Sequence, residues 1–193
     1  MSISELGNFL EGDLLEPGDR GFEDGRRLWN ARFDRSPDLV ARCTTTRDVK
    51  AAIDFARVQG RTLSVRGGGH SYAANSVADD GLLIDLALMK AVSVDASTRR
   101  VTVEGGVTCA EMDAATQLHG LAVPTPTVSS VGVIGAALGG GGGYLSRRYG
   151  LTLDSIISAE VVTADGQVLR VADDQHPDLF WAIRGGGGNF GVV

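Results

Sequence analysis

Twenty-seven glycines in 193 residues set the first constraint, because many of them fall in three runs. The first run follows a short apolar stretch, Leu63-Ser64-Val65, and reads Arg66-Gly67-Gly68-Gly69-His70-Ser71-Tyr72. Three consecutive glycines remove every Cβ, so the backbone can curl tightly and turn successive N–H groups toward one anion. Arg66 brings a fixed positive charge and Ser71 a hydroxyl donor. Such a loop suits a pyrophosphate, and it holds one of only three histidines at its edge. The plain alternative is a glycine-rich turn carrying a surface histidine, since short glycine motifs match widely.

The remaining composition narrows the class. A hydrophobic fraction of 43% with 22% charged residues belongs to an ordinary globular chain. The glycines follow no three-residue period and alternate with apolar segments, which excludes collagen and argues against disorder. A net charge of −6 makes a nucleic-acid surface a poor expectation, because phosphate backbones need a basic patch. Cys43 and Cys109 lack metal-like spacing and read as reduced core thiols, with an oxidised pair as the alternative. No metal site is expected. The N-terminal stretch has neither a basic start nor an apolar core of signal-peptide type, and no run is long enough to span a bilayer. The expected location is cytoplasmic.

Local patterns place the motifs. Residues 1–35 read as short polar helical segments. Leu39 to Cys43 reads as a strand, and Thr46 to Gly60 as a helix with Val49, Ile53 and Ala56 on one face. Thr62 to Val65 is a strand that delivers the glycine loop, so strand, helix and strand form a small α/β unit. Leu82 to Leu86 is a further strand. Val92–Asp95 and Val101–Glu104 pair across Ser97-Thr98-Arg99. Thr108 and Glu111 fit a capping box opening a helix that ends near His119-Gly120. Residues 156–163 and 167–171 flank Ala164-Asp165-Gly166, a hairpin signal, and Pro177 opens a helix through Trp181. Phe180 and Trp181 both read as core anchors, and Asp85 as a structural strand-end residue, with help in positioning a cofactor as the alternative.

Two nucleotide folds are excluded by spacing. Gly132-Val133-Ile134-Gly135 lacks the dinucleotide spacing and the acidic residue about 20 positions on. Gly139 to Gly143 lacks the Lys-Ser/Thr ending of a P-loop. Mixed helices and antiparallel hairpins give an α+β class.

Three segments carry a resemblance. They are the first glycine run, Gly132-Val133-Ile134-Gly135-Ala136-Ala137-Leu138 with Gly139–Gly143 and Tyr144 to Leu151, and Asp178 to Val193 with Gly185-Gly186-Gly187-Gly188-Asn189-Phe190-Gly191. In this order, from about Trp29 onward, they resemble the PCMH-type FAD-binding domain of the berberine-bridge-enzyme-like flavin oxidases. The 6-hydroxy-D-nicotine-oxidase-like branch of the vanillyl-alcohol-oxidase group shares the pattern. The resemblance implies two α+β subdomains, near 1–105 and 106–193, with FAD between them. It implies a flavin-dependent oxidoreductase that takes a hydride from an alcohol or amine C–H of a small molecule and passes electrons to oxygen. The substrate domain and the general base are expected beyond Val193, so no catalytic residue is assigned here. The competing reading is a catalytically incomplete flavin-binding module.

The resemblance also assigns residues. Arg66, Gly67, Gly68, Gly69, His70, Ser71 and Tyr72 are expected at the cofactor. His70 corresponds to a histidine joined to the flavin 8α carbon. The oxidised flavin's 8-methyl can lose a proton, and neutral imidazole can add to the electrophilic carbon that results. A non-covalent contact is the alternative. The cysteine that forms a second link in many relatives aligns with Val128, so a singly attached flavin is expected. The segment Pro124 to Ser130, including Val128 and Ser129, is expected beside the isoalloxazine. Val131 is expected near its reactive carbon, with room for dioxygen. Gly132 and Gly135 are expected to allow close backbone approach.

Overall fold

The computed structural model describes residues 1–193. A four-stranded sheet forms the larger half of the molecule. Its strands are β1 (Asp13–Leu15), β2 (Leu39–Arg42), β3 (Thr62–Arg66) and β4 (Gly81–Asp85), in the order β1-β2-β4-β3. β4 is parallel to both β2 and β3, and β1 closes one edge antiparallel to β2. Helices α1 (Ile3–Phe9), α2 (Phe22–Arg26) and α3 (Thr46–Gln59) cover the sheet.

The sequence explains this layer. Leu82, Leu83 and Ile84 are all fully buried, as is Val40 between Leu39 and Ala41. Strands apolar on both faces are what a parallel pair covered on two sides requires. One face packs Leu39, Ala41, Leu82 and Ile84 with Val49, Ala52, Ile53, Phe55 and Ala56 of α3. The other packs Val40 and Leu83 with Phe22, Leu28, Ala74 and Val77. Burying a side chain such as Phe55 contributes about 1.5–3 kcal/mol. Thr45 caps α3 by accepting from the Asp48 N–H at 3.2 Å, and Gly60 ends it in the left-handed region at φ 63°.

The smaller half contains two hairpins and short helices. β5 (Val92–Asp95) pairs with β6 (Arg100–Val103), and β7 (Ser158–Val162) with β8 (Val168–Ala172), both antiparallel. α4 (Cys109–Gln117) and α5 (Val133–Gly139) pack by Val107, Cys109, Met112 and Val133. α6 (Ser146–Tyr149) is a single turn, and α7 (Pro177–Ile183) seats Phe180 and Ile183 against Leu138, Val161 and Val171. The expected capping box at Thr108 and Glu111 is present. Val162 and Val192, joined by mutual backbone hydrogen bonds at 2.8 and 2.9 Å, also belong to the core of the large sheet. A cleft of about 790 Å³ separates the hairpins, lined by Val101, Val103, Ile134, Ala159 and Val193 among others. No helix is long and apolar enough to cross a membrane.

Two local expectations are corrected. The stretch 1–35 is not only helical, because Asp13–Leu15 is pulled into the sheet by pairing with Val40–Arg42. The strand, helix and strand unit is present as expected, with β4 inserted between β2 and β3. Trp181 is not a core anchor: it is 75% exposed while Phe180 is 1% exposed. At 3.6 residues per turn, Phe180 and Ile183 share the inward face and Trp181 points away.

Candidate functional site

Strand β3 ends at Arg66, and the loop that follows is held from below. Register places Arg66 opposite Asp85 of β4. Asp85, whose side chain is only 2% exposed, accepts from Arg66 Nη1 at 3.0 Å and from the Ala87 N–H at 3.2 Å. Arg66 Nε also reaches the Arg27 carbonyl at 3.3 Å. The charge expected to face an anion is therefore engaged beneath the loop, where it fixes the loop's root.

Above that root the backbone turns at Gly69, with φ 70°. The Gly69 carbonyl accepts from the Trp29 N–H at 3.0 Å, which brings the Trp29 indole onto His70. The two rings stack with centroids 5.2 Å apart and planes 21° apart. Tyr72 meets Trp29 edge-on at 5.8 Å and is largely exposed. Ser71 Oγ accepts from the Asn75 N–H at 3.0 Å, tightening the exit from the loop.

None of the N–H groups of residues 67–72 donates to an acceptor in the protein. Gly69 is buried and Gly67 and Gly68 are half-buried. Buried backbone donors are nearly always paired, so the free amide of buried Gly69, with those of the half-buried residues beside it, is available to a ligand's oxygen atoms.

The second wall is the segment 128–132. Its carbonyls cap the start of α4: Val131 O accepts from the Cys109 N–H at 2.9 Å and Ser129 O from the Ala110 N–H at 3.0 Å. These are amides that a helix cannot satisfy internally. Val133 N–H donates to Val107 O at 2.9 Å, so one amide at the start of α5 is already used. Val128 is about half exposed and Val131 half-buried.

The walls meet backbone to backbone. A Cβ on Gly68 would overlap the nitrogen of Gly132, and a Cβ on Gly132 would lie 2.6 Å from the nitrogen of Gly68. The close approach that Gly132 permits within the protein is thus to Gly68. Gly135 is open, with nothing within 4 Å of the position its Cβ would take.

This contact sets His70 beside Ser130, with Nε2 and Oγ 2.9 Å apart. Burial lowers the His70 pKa below the ordinary histidine value, which favours the neutral, nucleophilic imidazole. Ser130 and Trp29 are the site residues that sequence reasoning left outside its specific assignments. Trp29 gave only the start of the resemblance, and Ser130 only a place in a polar segment.

Neither cysteine presents an exposed thiol. Both are free and buried. Cys109 lies close to the site through its backbone, yet its thiol packs into the core and burial pushes its pKa up to about 11. Cys43 is shifted upward as well, by burial first and then by Asp48 and Asp85.

Comparisons with known proteins agree on one kind of domain. A family profile described as an FAD binding domain matches residues 37–172. (R)-6-hydroxynicotine oxidase of Paenarthrobacter nicotinovorans is 39% identical over 184 residues, covering 95% of this chain and 40% of that protein. The glucooligosaccharide oxidase structure from Acremonium strictum aligns with a TM-score of 0.93 at 35% identity, covering 100% of this chain and 41% of that one. Its FAD is described as 6-S-cysteinyl, 8α-N1-histidyl. BBE-like 1 of Physcomitrella patens aligns with a TM-score of 0.94 at 29% identity, covering 100% and 43%. The chain spans about two fifths of the length of these proteins.

Proposed function

This chain belongs to the FAD-binding domain family, and from that premise we propose that it is the cofactor-holding part of an FAD-linked oxidoreductase. The observation that carries the reading is the free-donor loop 67–72 clamped against the 128–132 segment, with a half-buried neutral histidine where they meet. FAD, when bound, supplies the redox chemistry: it accepts a hydride from an alcohol or amine C–H of a small molecule and returns the electrons to oxygen.

The chain's own residues bind and orient. The amides of Gly67 to Tyr72 offer hydrogen bonds to cofactor oxygens, and Arg66 with Asp85 holds that loop in place. Val128, Ser129 and Val131, with Gly132 and Gly135 at the start of α5, form the opposite wall. His70 attaches the cofactor covalently at its 8α carbon. Val128 has no thiol, and both cysteines are core residues, so the attachment is single. The two halves of the molecule hold the cofactor between them. Substrate recognition and proton removal belong to parts of the protein that this chain does not contain, and a cytoplasmic location fits the reading.

The test is the intact mass of the denatured protein after exposure to FAD, compared with His70→Ala. A mass increase of one FAD that vanishes in the variant supports the reading. FAD that binds and is released on denaturation removes the covalent bond from it. A protein that neither binds nor links FAD overturns it. The alternative, a flavin-binding module without turnover, is separated by whether alcohols or amines bleach the bound flavin.

A further inference from the structure

We infer that Ser130 is the positioning residue for flavin attachment, holding Nε2 of His70 so that Nδ1 is the nitrogen that bonds the cofactor. This rests on the covalent reading above and adds to it the side chain that orients the ring. Three observations combine. Ser130 Oγ lies 2.9 Å from Nε2, and Nδ1 has no hydrogen-bond partner in the protein. The Trp29 stack fixes the plane of the ring. The Gly68–Gly132 contact fixes the distance between the segments that carry the two side chains.

A neutral imidazole carries one proton, and the hydrogen bond of one nitrogen decides the role of the other. With Ser130 Oγ accepting from Nε2–H, the Nδ1 lone pair is left without a partner in the protein and is free to attack. The bond formed is Nδ1 to the 8α carbon. That carbon gives up one hydrogen as a proton, and the electron pair of its C–H bond passes into the isoalloxazine. Nε2, made acidic by alkylation of Nδ1, releases the second proton through Ser130 to solvent. Dioxygen takes the two electrons and two protons and leaves as hydrogen peroxide. The oxygen of Ser130 thereby faces the positive charge that develops on the ring during bond formation.

The experiment follows covalent incorporation in time, by intact mass at saturating FAD, for the wild type, Ser130→Ala and Ser130→Thr. It is joined to 15N NMR of His70 in the flavin-free protein. We expect the Nε2–H tautomer in the wild type. Incorporation should be at least tenfold slower in Ser130→Ala, with the rate restored toward wild type by the hydroxyl of Ser130→Thr. Equal incorporation rates in all three proteins, or an Nδ1–H tautomer in the wild type, overturn the role of Ser130 while leaving attachment at His70 intact. A wild type that acquires no FAD mass overturns the attachment and this assignment with it. Using saturating FAD keeps a change in affinity from imitating a change in rate.

Discussion

The glycine runs at 67–69 and 185–188 look alike as strings and are opposite as structures. In the first, the space where a Cβ would sit on Gly68 is filled by the Gly132 backbone, and the amides are left free. In the second, Gly185 donates to Leu138 O at 2.9 Å and Gly186 to Ala182 O at 3.1 Å, which ends α7, while nothing approaches Gly187 or Gly188. The first run trades side chains for a close contact with a distant segment and keeps its donors for a ligand. The second run turns the chain and uses its first donors locally. A glycine is informative through what occupies its missing Cβ and where its amide points.

This contrast can be broken by substitution. The largest effect belongs to His70→Ala, which is expected to abolish covalent FAD altogether. Asn189→Ala, which removes a 2.7 Å bond from Asn189 Nδ2 to Gly186 O at the second run, should leave the FAD mass in place. Intact mass spectrometry reads both. Loss in both variants would mean that the two runs are equally tied to the cofactor.

Next in size is Asp85→Ala. Removing one partner of a buried ion pair strands the other, at about 3–5 kcal/mol, so urea denaturation should show a large loss, with the first loop released from its root. A loss below about 1 kcal/mol would place the pair among surface bridges.

Gly68→Ala should cost about 1–3 kcal/mol, because backbone rather than a flexible side chain stands in the way. Gly188→Ala, at φ −82° with open space around it, should be neutral or stabilise by about 0.4–1 kcal/mol. Equal effects in the same denaturation experiment would erase the distinction between the runs.

The smallest effect is the pH dependence at His70. Its folded pKa is depressed by burial, so on acidification the unfolded chain binds a proton first. The corresponding stability is present above about pH 6.5, the ordinary histidine value, and falls as pH drops from there toward the folded pKa. NMR titration should place the His70 midpoint below that value. The rate of FAD attachment should decline with the same midpoint, since only the neutral ring is nucleophilic.

Much of this was legible in the residues. The apolar stretch at Leu82 to Ile84 announced a strand, and Thr108 with Glu111 announced a helix start. The glycine loop and His70 were legible as one candidate site because they occupy a few consecutive positions. The order of β2, β4 and β3 was not legible, since a strand inserted between two others leaves no local trace. The Arg66–Asp85 pair was hidden for the same reason: the partner lies 19 residues away and meets Arg66 only through sheet register. Ser130 was one of several small polar residues until the Gly68 contact singled it out. Asp13–Leu15 is too short for its alternation to declare a strand without its neighbour.

The Arg66–Asp85 pairing has a consequence for how the chain folds. Shifting β3 against β4 by one residue would turn Arg66 to the opposite face of the sheet and leave the buried Asp85 carboxylate with only the longer contact to Arg42, at 3.9 Å. Misregistered intermediates are therefore penalised electrostatically at the strand end that launches the cofactor loop. The same pair that supports the finished loop acts as a proofreading step for the sheet, so chains that pass it arrive with the cradle already in shape.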